Sequence, residues 1–473
     1  MNTFSDTDVN RLIAEAMVPL HQRIAELEKR VVELEAENAR LKKNSSNSSK
    51  PPSSDITRPP DASGGSAGGR GGGGKKRHIG GQPGHDKHQR PAFPPDQVDH
   101  IQLYELPDPG GLVPLNQWRT VQQVELAPKL FQVTEHRARR YRDPATGQIH
   151  TAPLPPEIAA AGLCGPRLSA LVGYLKGHCR MSYTLIQDFC GEVMVLPIST
   201  GQLARVVQKN SAALAGAYQQ LLEALPRQKV LGVDETGHYD QGDLLWTWCF
   251  RAQDFAVFRI APSRGSDVLK ETLGADYAGT LVCDFFSAYR KYLEKSPCAM
   301  QFCQAHLIRD IRFLETLSDQ AGVRWAGKLL TLIRKLFRKH HQRLADSARD
   351  LRGALDRIRR QILALVARAP ASCEAQNIRD RFRKYKQQYF TFVAAPQIAP
   401  TNNFTEQTLR FAVIDRKLTQ GTRGTAGQTW CQRIWSVLAT CRIQGRSAFE
   451  FLIQSIACSF KRMATPQLLP AGR

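Results

Sequence analysis

The chain has 473 residues and a formal net charge of +22, from 65 Lys and Arg against 43 Asp and Glu. Its length predicts roughly two to four compact units, and the charge favours a polyanionic partner, nucleic acid before an anionic membrane. The sequence predicts neither a membrane-spanning helix, which would need a run of about 18 apolar residues, nor a signal peptide. The 11 cysteines begin at Cys164 without a C-x-x-C pair, which favours free thiols in a reducing cytoplasm over disulfides or a zinc cluster.

Residues 1–43 carry a heptad pattern that is typical of a coiled coil. The positions that alternate in steps of four and three are Ile13, Met17, Leu20, Ile24, Leu27, Val31, Leu34, Asn38 and Leu41. Asn38 would be a buried polar position that fixes the register. Pro19 interrupts the first turns, so the prediction rests on Leu20 to Leu41. We expect self-association into a homo-oligomer; the alternative is an amphipathic helix that packs on its own protein.

Residues 44–95 are rich in Gly, Ser and Pro and poor in apolar side chains. Such a composition cannot bury enough surface to offset chain entropy, so we expect a disordered linker. Lys75, Lys76 and Arg77 make it a basic arm suited to DNA phosphates.

Residues 96–160 predict a small β-rich module, with strand-like stretches at 100–106, 120–126 and 129–141 and turns at "PDPGG" and "DPATGQ". Residues 161–228 are typical of helices. Ser182 and Ser199 are the expected N-caps of a helix–turn–helix that could enter a DNA groove. A purely structural pair of helices is the alternative.

The remainder predicts an α/β unit with a mixed sheet. Residues 229–312 hold three strand-like runs joined by short loops, followed by alternating helices and strands. Residues 313–397 are a basic helical insertion, in which the stretch 324–386 has 18 Lys and Arg against five Asp and Glu. The core resumes over 398–450, and residues 451–473 form a C-terminal helix and a loose tail.

Three carboxylates occupy distinctive positions in this unit. Asp234 ends the first apolar run, Asp284 ends the fourth, and Glu406 lies in a helix that opens after Asn402 and Asn403. Ligands of such sheets gather beyond the carboxyl ends of strands, and clustered carboxylates suit Mg²⁺. Two metal ions can activate a nucleophile and stabilise the leaving oxygen of a phosphodiester. The structural alternative for a single strand-end Asp is a turn or helix cap.

The stretches "KVLGVDETG", "LVCDFFSAY", "CQAHLIRDI" and "PTNNFTEQTLR" with a following "DRK" resemble the DDE transposases of the insertion-sequence-66 family. "NSSNSSKPPSSD" and "GGQPGH" are similar to the N-terminal region of that family. The resemblance implies a bacterial mobile-element transposase with a ribonuclease H-like catalytic core. Asp234, Asp284 and Glu406 would be its catalytic and metal-binding triad, holding two Mg²⁺ ions for which Mn²⁺ can substitute. DNA cleavage at the element ends would be followed by transfer of the 3′-hydroxyl to target DNA.

Several further residues acquire expected roles from the resemblance. Arg410, Arg416 and Lys417 are candidate DNA contacts. His306 and Asn403 are candidates for supporting the triad, Asn403 together with Asn402 as a helix cap. Glu235 is either a supporting group or a solvent-facing neighbour, and we favour the solvent-facing position.

One departure concerns zinc, because the family's zinc-binding module usually carries paired cysteines where this chain has "PDPGG" and "RDPATGQ". We therefore predict no zinc. The expected partners are the element ends and target DNA, with helper proteins of the same element, in the bacterial cytoplasm at the nucleoid and not at a membrane. The alternatives are a structure-specific DNA nuclease and a catalytically silent DNA-binding partner.

Overall fold

The computed structural model of the chain describes residues 6–41, 92–104, 120–127, 129–345 and 351–469. The predicted linker, with Lys75, Lys76 and Arg77, lies outside these residues except for its last positions. The strands of the described residues are β1 (Arg140–Arg142), β2 (Ile149–Thr151), β3 (Val230–Asp240), β4 (Asp243–Arg251), β5 (Ala256–Ala261), β6 (Thr280–Cys283) and β7 (Ala299–Phe302).

The α-helices fall into three groups along the chain. The first group is α1 (Asp6–Leu41), α2 (Pro156–Ala161), α3 (Pro166–Gly177), α4 (Tyr183–Asp188), α5 (Thr200–Ala213) and α6 (Ala215–Ala224). The second is α7 (Ser266–Leu273), α8 (Ser287–Leu293) and α9 (Gln304–Leu314). The third is α10 (Gln320–Ala345), α11 (Arg352–Ala367), α12 (Cys373–Tyr385), α13 (Thr391–Ala394), α14 (Asn403–Thr419), α15 (Thr425–Ile443) and α16 (Ala448–Phe460).

A five-stranded mixed sheet in the order β5-β4-β3-β6-β7 is the centre of the α/β unit. β3, β4 and β5 are antiparallel neighbours, and β6 and β7 run parallel to β3. Short turns can join only antiparallel strands, whereas parallel strands need crossovers, which α7 and α8 supply. The predicted mixed α/β sheet is confirmed.

The first strand of this sheet is longer than predicted. β3 continues past Asp234 to Asp240, because β4 pairs with it from Gly232 opposite Arg251 to Asp240 opposite Asp243. Its parallel pairing with β6 stops much earlier, at Gly232 opposite Val282. The prediction that the strand ends at Asp234 is therefore wrong. Asp234 instead lies just past the point where β3 loses its parallel neighbour.

The outer edge of the sheet at β5 is covered by α15. Gln432, Ser436 and Thr440, spaced four residues apart on one face of α15, accept hydrogen bonds from three backbone N–H groups of β5 at 2.9–3.2 Å. An open strand edge invites pairing with other chains. These side chains satisfy that edge and fix α15 against the sheet.

The predicted helical insertion contains α10 to α13. Apolar side chains of α10 (Leu329, Ile333, Leu336) and α11 (Leu355, Ile358, Ile362) are buried at helical spacing, and the two helices pack against each other. The insertion therefore has a core of its own.

The helical region before the sheet confirms both predicted N-caps. Ser182 Oγ accepts from the N–H of Leu185 at 3.1 Å, and Ser199 Oγ accepts from the N–H of Gln202 at 3.2 Å.

By length and composition, Pro156–Gly177 is apolar enough to cross a membrane, contrary to the sequence prediction. In the structure this stretch is two helices, α2 and α3, separated at Gly162, whose φ is 66°. Because α3 packs on α5 and α16, it is a core helix of this region.

Helix α1 runs through Pro19 and presents its predicted heptad positions to solvent. The exposed apolar side chains are Met17, Leu20, Ile24, Leu27, Val31 and Leu34. Asn38 is also exposed, and the side chains of Ile13 and Leu41 lie outside the described part. The coiled coil stays a prediction, and the exposed stripe is compatible with it.

The β-rich expectation for residues 96–160 holds only in part. β1 and β2 pair as a hairpin around the predicted "DPATGQ" turn, where the Asp143 side chain accepts from the N–H of Ala145 at 2.8 Å. The described residues at 100–104, 120–126 and 129–139 are not strands, so those predictions are wrong there. Their apolar side chains, such as Ile101 and Val121, are exposed, and an isolated strand without a burying partner is not stable. The "PDPGG" turn lies outside the described residues.

Candidate functional site

Two of the three predicted acids meet where β3 and β6 separate. The β3–β6 register pairs Val230 with Thr280 and Gly232 with Val282, a constant offset of 50 residues. Asp234 and Asp284 are separated by the same 50 residues, so they are side by side just beyond the last pair. Asp234 Oδ1 accepts from the N–H of Glu235 at 3.0 Å, and Asp284 Oδ1 accepts from the N–H of Phe286 at 2.9 Å. The backbone thus orients both carboxylates.

The third acid, Glu406, arrives on the first turn of α14. Just before this helix, Asn402 donates from Nδ2 to the carbonyl oxygen of Val233 at 2.8 Å, one residue before Asp234. At Gly232 a Cβ would overlap Thr405 Oγ1, so only glycine permits so close an approach of α14. These two contacts place Glu406 beside Asp234.

The two asparagines before Glu406 do not cap the helix in the way that the sequence predicted. Asn402 occupies the N-cap position of α14, but its side chain makes no capping hydrogen bond because it is committed to β3. Asn403 is exposed on the first turn. The supporting contact is therefore made by Asn402 and not by Asn403.

All three acids have raised pKa values. Burial raises the pKa of Asp234 well above its usual value, and the charges of Glu235, Asp284 and Glu406 raise it further. Burial and the charge of Glu235 raise the pKa of Asp284 to about 7. Burial also raises the pKa of Glu406, against a lowering by Arg309. Without a cation, this cluster retains protons near neutral pH.

Glu235 is not the solvent-facing neighbour that we favoured. Its side chain is only 1% exposed, accepts from Arg264 Nε at 2.8 Å and accepts from the hydroxyl of Tyr289. The Arg264 guanidinium lies 4.7 Å from the ring of Trp246 and 3.7 Å from that of Phe286. Adjacent residues of a strand face opposite sides of the sheet, so Glu235 enters the core when Asp234 faces the acids.

The first two turns of α9 supply two groups next to Glu406. His306 Nδ1 lies 3.6 Å from Glu406 Oε1, and Arg309 lies 3.7 Å from Glu406 Oε2. Burial and Arg309 lower the pKa of His306 to about 4, so the imidazole is neutral at pH 7. The structure therefore brings His306 to the third acid, as its place among the motifs suggested. Sequence reasoning missed Arg309, which lies one turn further along the same helix.

Cys303 is a second residue that sequence reasoning missed. It precedes α9, and its Sγ lies within 4.8 Å of ligand atoms of His306 and Glu406. The signal was visible as the C-x-x-H spacing in "CQAH" at the start of a helix.

The predicted DNA contacts on α14 do not share one environment. Arg410 and Lys417 are exposed. Arg416 is only 9% exposed and donates to Thr236 Oγ1 at 3.2 Å, so it packs against β3. A surface phosphate contact therefore suits Arg410 and Lys417 better than Arg416.

A basic cavity of about 820 Å³ lies further along α14 and was not anticipated from the sequence. It is formed with α3 to α5 and the start of α15, and its cationic lining consists of Lys176, Arg180, Arg423 and Arg433. Tyr183 and Trp430 add aromatic surface. Cations beside aromatic rings are the chemistry of sites for nucleic-acid strands.

The acid cluster fits hard divalent cations. Glu406 Oε1 is buried without a hydrogen-bond partner among the described residues, and the carboxyl groups raise the pKa of Asp234 by repulsion. Carboxylate oxygens are the ligands that Mg²⁺ and Mn²⁺ prefer. A bound cation would replace both the missing partner and the protons.

Comparisons with known proteins match two parts of the chain. A family model described as "Transposase IS66 family" matches residues 161–429, more than half of the chain and the whole acid cluster. A second model, of a family of unknown function designated DUF6444, matches residues 3–91. No curated protein matches the chain.

Proposed function

The chain belongs to the IS66 family of transposases, and from this premise we propose that it cuts DNA at the ends of a bacterial insertion sequence and joins the freed 3′-hydroxyl to target DNA. The observation that carries the proposal is the convergence of Asp234, Asp284 and Glu406 from β3, the end of β6 and α14. Besides burial, the charges of Asp284 and Glu406 raise the pKa of Asp234, and the charge of Glu406 raises that of Asp284. Clustered acids with few protein partners suit metal-dependent phosphodiester chemistry.

A ribonuclease H-like core is part of the proposal. Its support is the order β5-β4-β3-β6-β7, in which an antiparallel meander is followed by two parallel strands. The basic insertion 313–397 separates this sheet from the glutamate helix, which accounts for the 122 residues between Asp284 and Glu406.

Asp234, Asp284 and Glu406 are the groups that would hold the metal ions, two Mg²⁺ for which Mn²⁺ substitutes. Bound metal ions would activate the attacking hydroxyl and stabilise the leaving oxygen. Asn402 and the close contact at Gly232 hold Glu406 in place. Arg309 adds a positive charge beside Glu406 that suits a DNA phosphate.

DNA is the proposed partner outside the acid cluster as well. The helix that carries Glu406, α14, also carries the exposed Arg410 and Lys417. The cavity with the cationic lining lies next to this helix. The exposed stripe of α1 supports homo-oligomerisation, which would bring two DNA ends together. Helper proteins of the same element and a nucleoid location in the cytoplasm complete the proposal.

The test is cleavage and joining of DNA that carries the element's own ends, in Mg²⁺ or Mn²⁺. Wild type should nick the ends and join them to target, whereas Asp234→Asn, Asp284→Asn and Glu406→Gln should bind DNA and do neither. Asp243→Asn, an exposed acid at the start of β4, is the matched control and should behave as wild type. Nicking without joining would favour a nuclease. DNA binding without cleavage, even after helper proteins are added, would favour a catalytically silent DNA-binding protein.

A further inference from the structure

Three buried polar atoms without hydrogen-bond partners lie at the junction of α9 and α14. His306 Nδ1, Glu406 Oε1 and Asn402 Oδ1 are each buried without a hydrogen-bond partner among the described residues. His306 Nδ1 and Glu406 Oε1 are 3.6 Å apart, which is too long for a hydrogen bond. Unsatisfied buried polar atoms are costly, and a cation is one group that would satisfy two lone pairs at once.

A thiol completes this set of atoms. Cys303 is 2% exposed, and its Sγ accepts from the backbone N–H of Asn402 at 3.2 Å. Cys303, His306 and Glu406 each offer one ligand atom, and these three atoms lie within 4.8 Å of one another. Burial raises the pKa of the Cys303 thiol to about 11, against a lowering by this N–H, so a cation that binds the sulfur would displace the thiol proton.

The positions of the three residues are fixed by the fold. The N–H of Cys303 donates to the carbonyl oxygen of Cys283 at 2.7 Å, and that of Gln304 to the carbonyl oxygen of Pro400 at 2.9 Å. These bonds tie the start of α9 to the end of β6 and to the segment before α14. His306 follows Cys303 by three residues and so lies on the same face of the first turn. Arg309 approaches the other oxygen of Glu406, which leaves Oε1 available.

The donor set is different from that of the three acids. Thiolate, imidazole and carboxylate are the ligands of zinc, whereas Mg²⁺ avoids sulfur. A tetrahedral zinc ion with ligands at about 2.0–2.3 Å separates them by roughly 3.3–3.8 Å, and the distance of 3.6 Å between His306 and Glu406 is within this range. Three protein ligands leave a fourth position for water or a phosphate oxygen.

We propose that Cys303, His306 and Glu406 bind a thiophilic divalent cation such as Zn²⁺, and that this cation withdraws Glu406 from Asp234 and Asp284 and thereby stops DNA cleavage. The first half stands on the geometry alone. The second half rests on the proposed function. Glu406 would then be shared between two exclusive metal sites, one built from oxygen ligands and one that contains sulfur. The expectation of no zinc, which came from the missing cysteines of the N-terminal module, would not extend to this site.

The binding test uses Co²⁺ as a spectroscopic substitute for Zn²⁺ on the full-length chain. We expect a thiolate-to-cobalt charge-transfer band in wild type, its loss in Cys303→Ser, and a changed visible spectrum in His306→Asn. The matched control is Cys298→Ser, a buried cysteine just before the strand that Cys303 follows; it should keep the band. Zn²⁺ affinity, measured by competition with a chelating dye, should fall at least about 100-fold in Cys303→Ser, since even outer contacts of a metal site are worth 10–100-fold.

The regulatory test compares the rate of Mg²⁺-dependent DNA cleavage with and without micromolar Zn²⁺. The ratio of the rate with Zn²⁺ to the rate without it should be far below one in wild type and Cys298→Ser, and near one in Cys303→Ser. Circular dichroism confirms that each variant is folded. A wild-type spectrum without a sulfur band would overturn the metal site even if Mg²⁺-dependent cleavage is normal. A sulfur band in a chain that cleaves under no condition would leave the site in place and overturn the proposed function.

Discussion

Asp234 and Glu235 are neighbours in β3 but have opposite surroundings. The carboxylate of Glu235 is enclosed by Arg264 and Tyr289 on the side of α7 and α8. The carboxylate of Asp234 accepts one backbone hydrogen bond, and the charged groups that act on it are the acids Glu235, Asp284 and Glu406. One acid is neutralised by the protein, and the other is surrounded by like charge.

The difference separates an acid that stabilises the fold from an acid that needs an external cation. A buried charge is tolerated when its partners are built in, and Glu235 has them. Asp234 has no such cationic partner among the described residues, which is unfavourable for stability and typical of functional sites. The comparison therefore predicts that substitution of Asp234 lowers the activity, whereas substitution of Glu235 lowers the stability of the fold.

The largest expected effect is on activity, at Asp234. Asp234→Asn should reduce DNA cleavage by about 10³-fold or more, as removal of a central catalytic group does. Its thermal midpoint should stay equal to that of wild type or rise, because a repelled buried charge is removed. Calorimetry and the cleavage assay measure the two quantities. A cleaving variant, or one with a clearly lowered midpoint, would contradict the comparison.

The second effect is on stability, at Glu235. Glu235→Ala should lower the free energy of unfolding by about 3 kcal/mol, because Arg264 is left partly buried without its partner. Combining it with Arg264→Met should recover part of the loss, with a coupling energy of about 1–3 kcal/mol. Denaturant unfolding of the four proteins measures this cycle. Purely additive losses would show that the pair is not a unit.

The sequence indicated the acids more easily than their environments. Alternating apolar runs and the place of Asp234, Asp284 and Glu406 within them were local patterns, and the structure brings these three residues together. The burial of Glu235 was missed because Arg264 and Tyr289 lie 29 and 54 residues away. The end of β3 was misplaced because its continuation depends on pairing with β4. Such non-local partners are invisible to a reading of propensities along one segment.

A smaller effect is expected where α14 touches β3. Gly232→Ala would place a Cβ against Thr405 and move α14 with Glu406 away from Asp234. Cleavage should fall about 10–100-fold, since small misplacements of a reacting group are costly. Gly353→Ala, in α11 with open space around it, is the control and should leave the cleavage rate unchanged. Adding Thr405→Gly to Gly232→Ala should restore part of the activity; no recovery would show that the contact does not position Glu406.

The smallest effect concerns His238, four residues beyond Asp234 on the same strand and fully enclosed. Thr422 and Thr247 contact its two ring nitrogens at 3.0 and 3.2 Å, and burial, with Arg416 nearby, lowers its pKa to about 4. Between pH 6.5 and pH 4 the unfolded chain binds a proton that the folded chain does not, so stability falls as the pH falls through this window. From pH 7 to pH 5 this histidine should cost about 1–2 kcal/mol, and His238→Gln should remove that part of the pH dependence. His341→Gln, an exposed histidine, should leave the pH dependence as in wild type. Unfolding at both pH values measures this effect, and an equal pH dependence in wild type and His238→Gln would show that the folded chain accommodates a charged imidazole at this position.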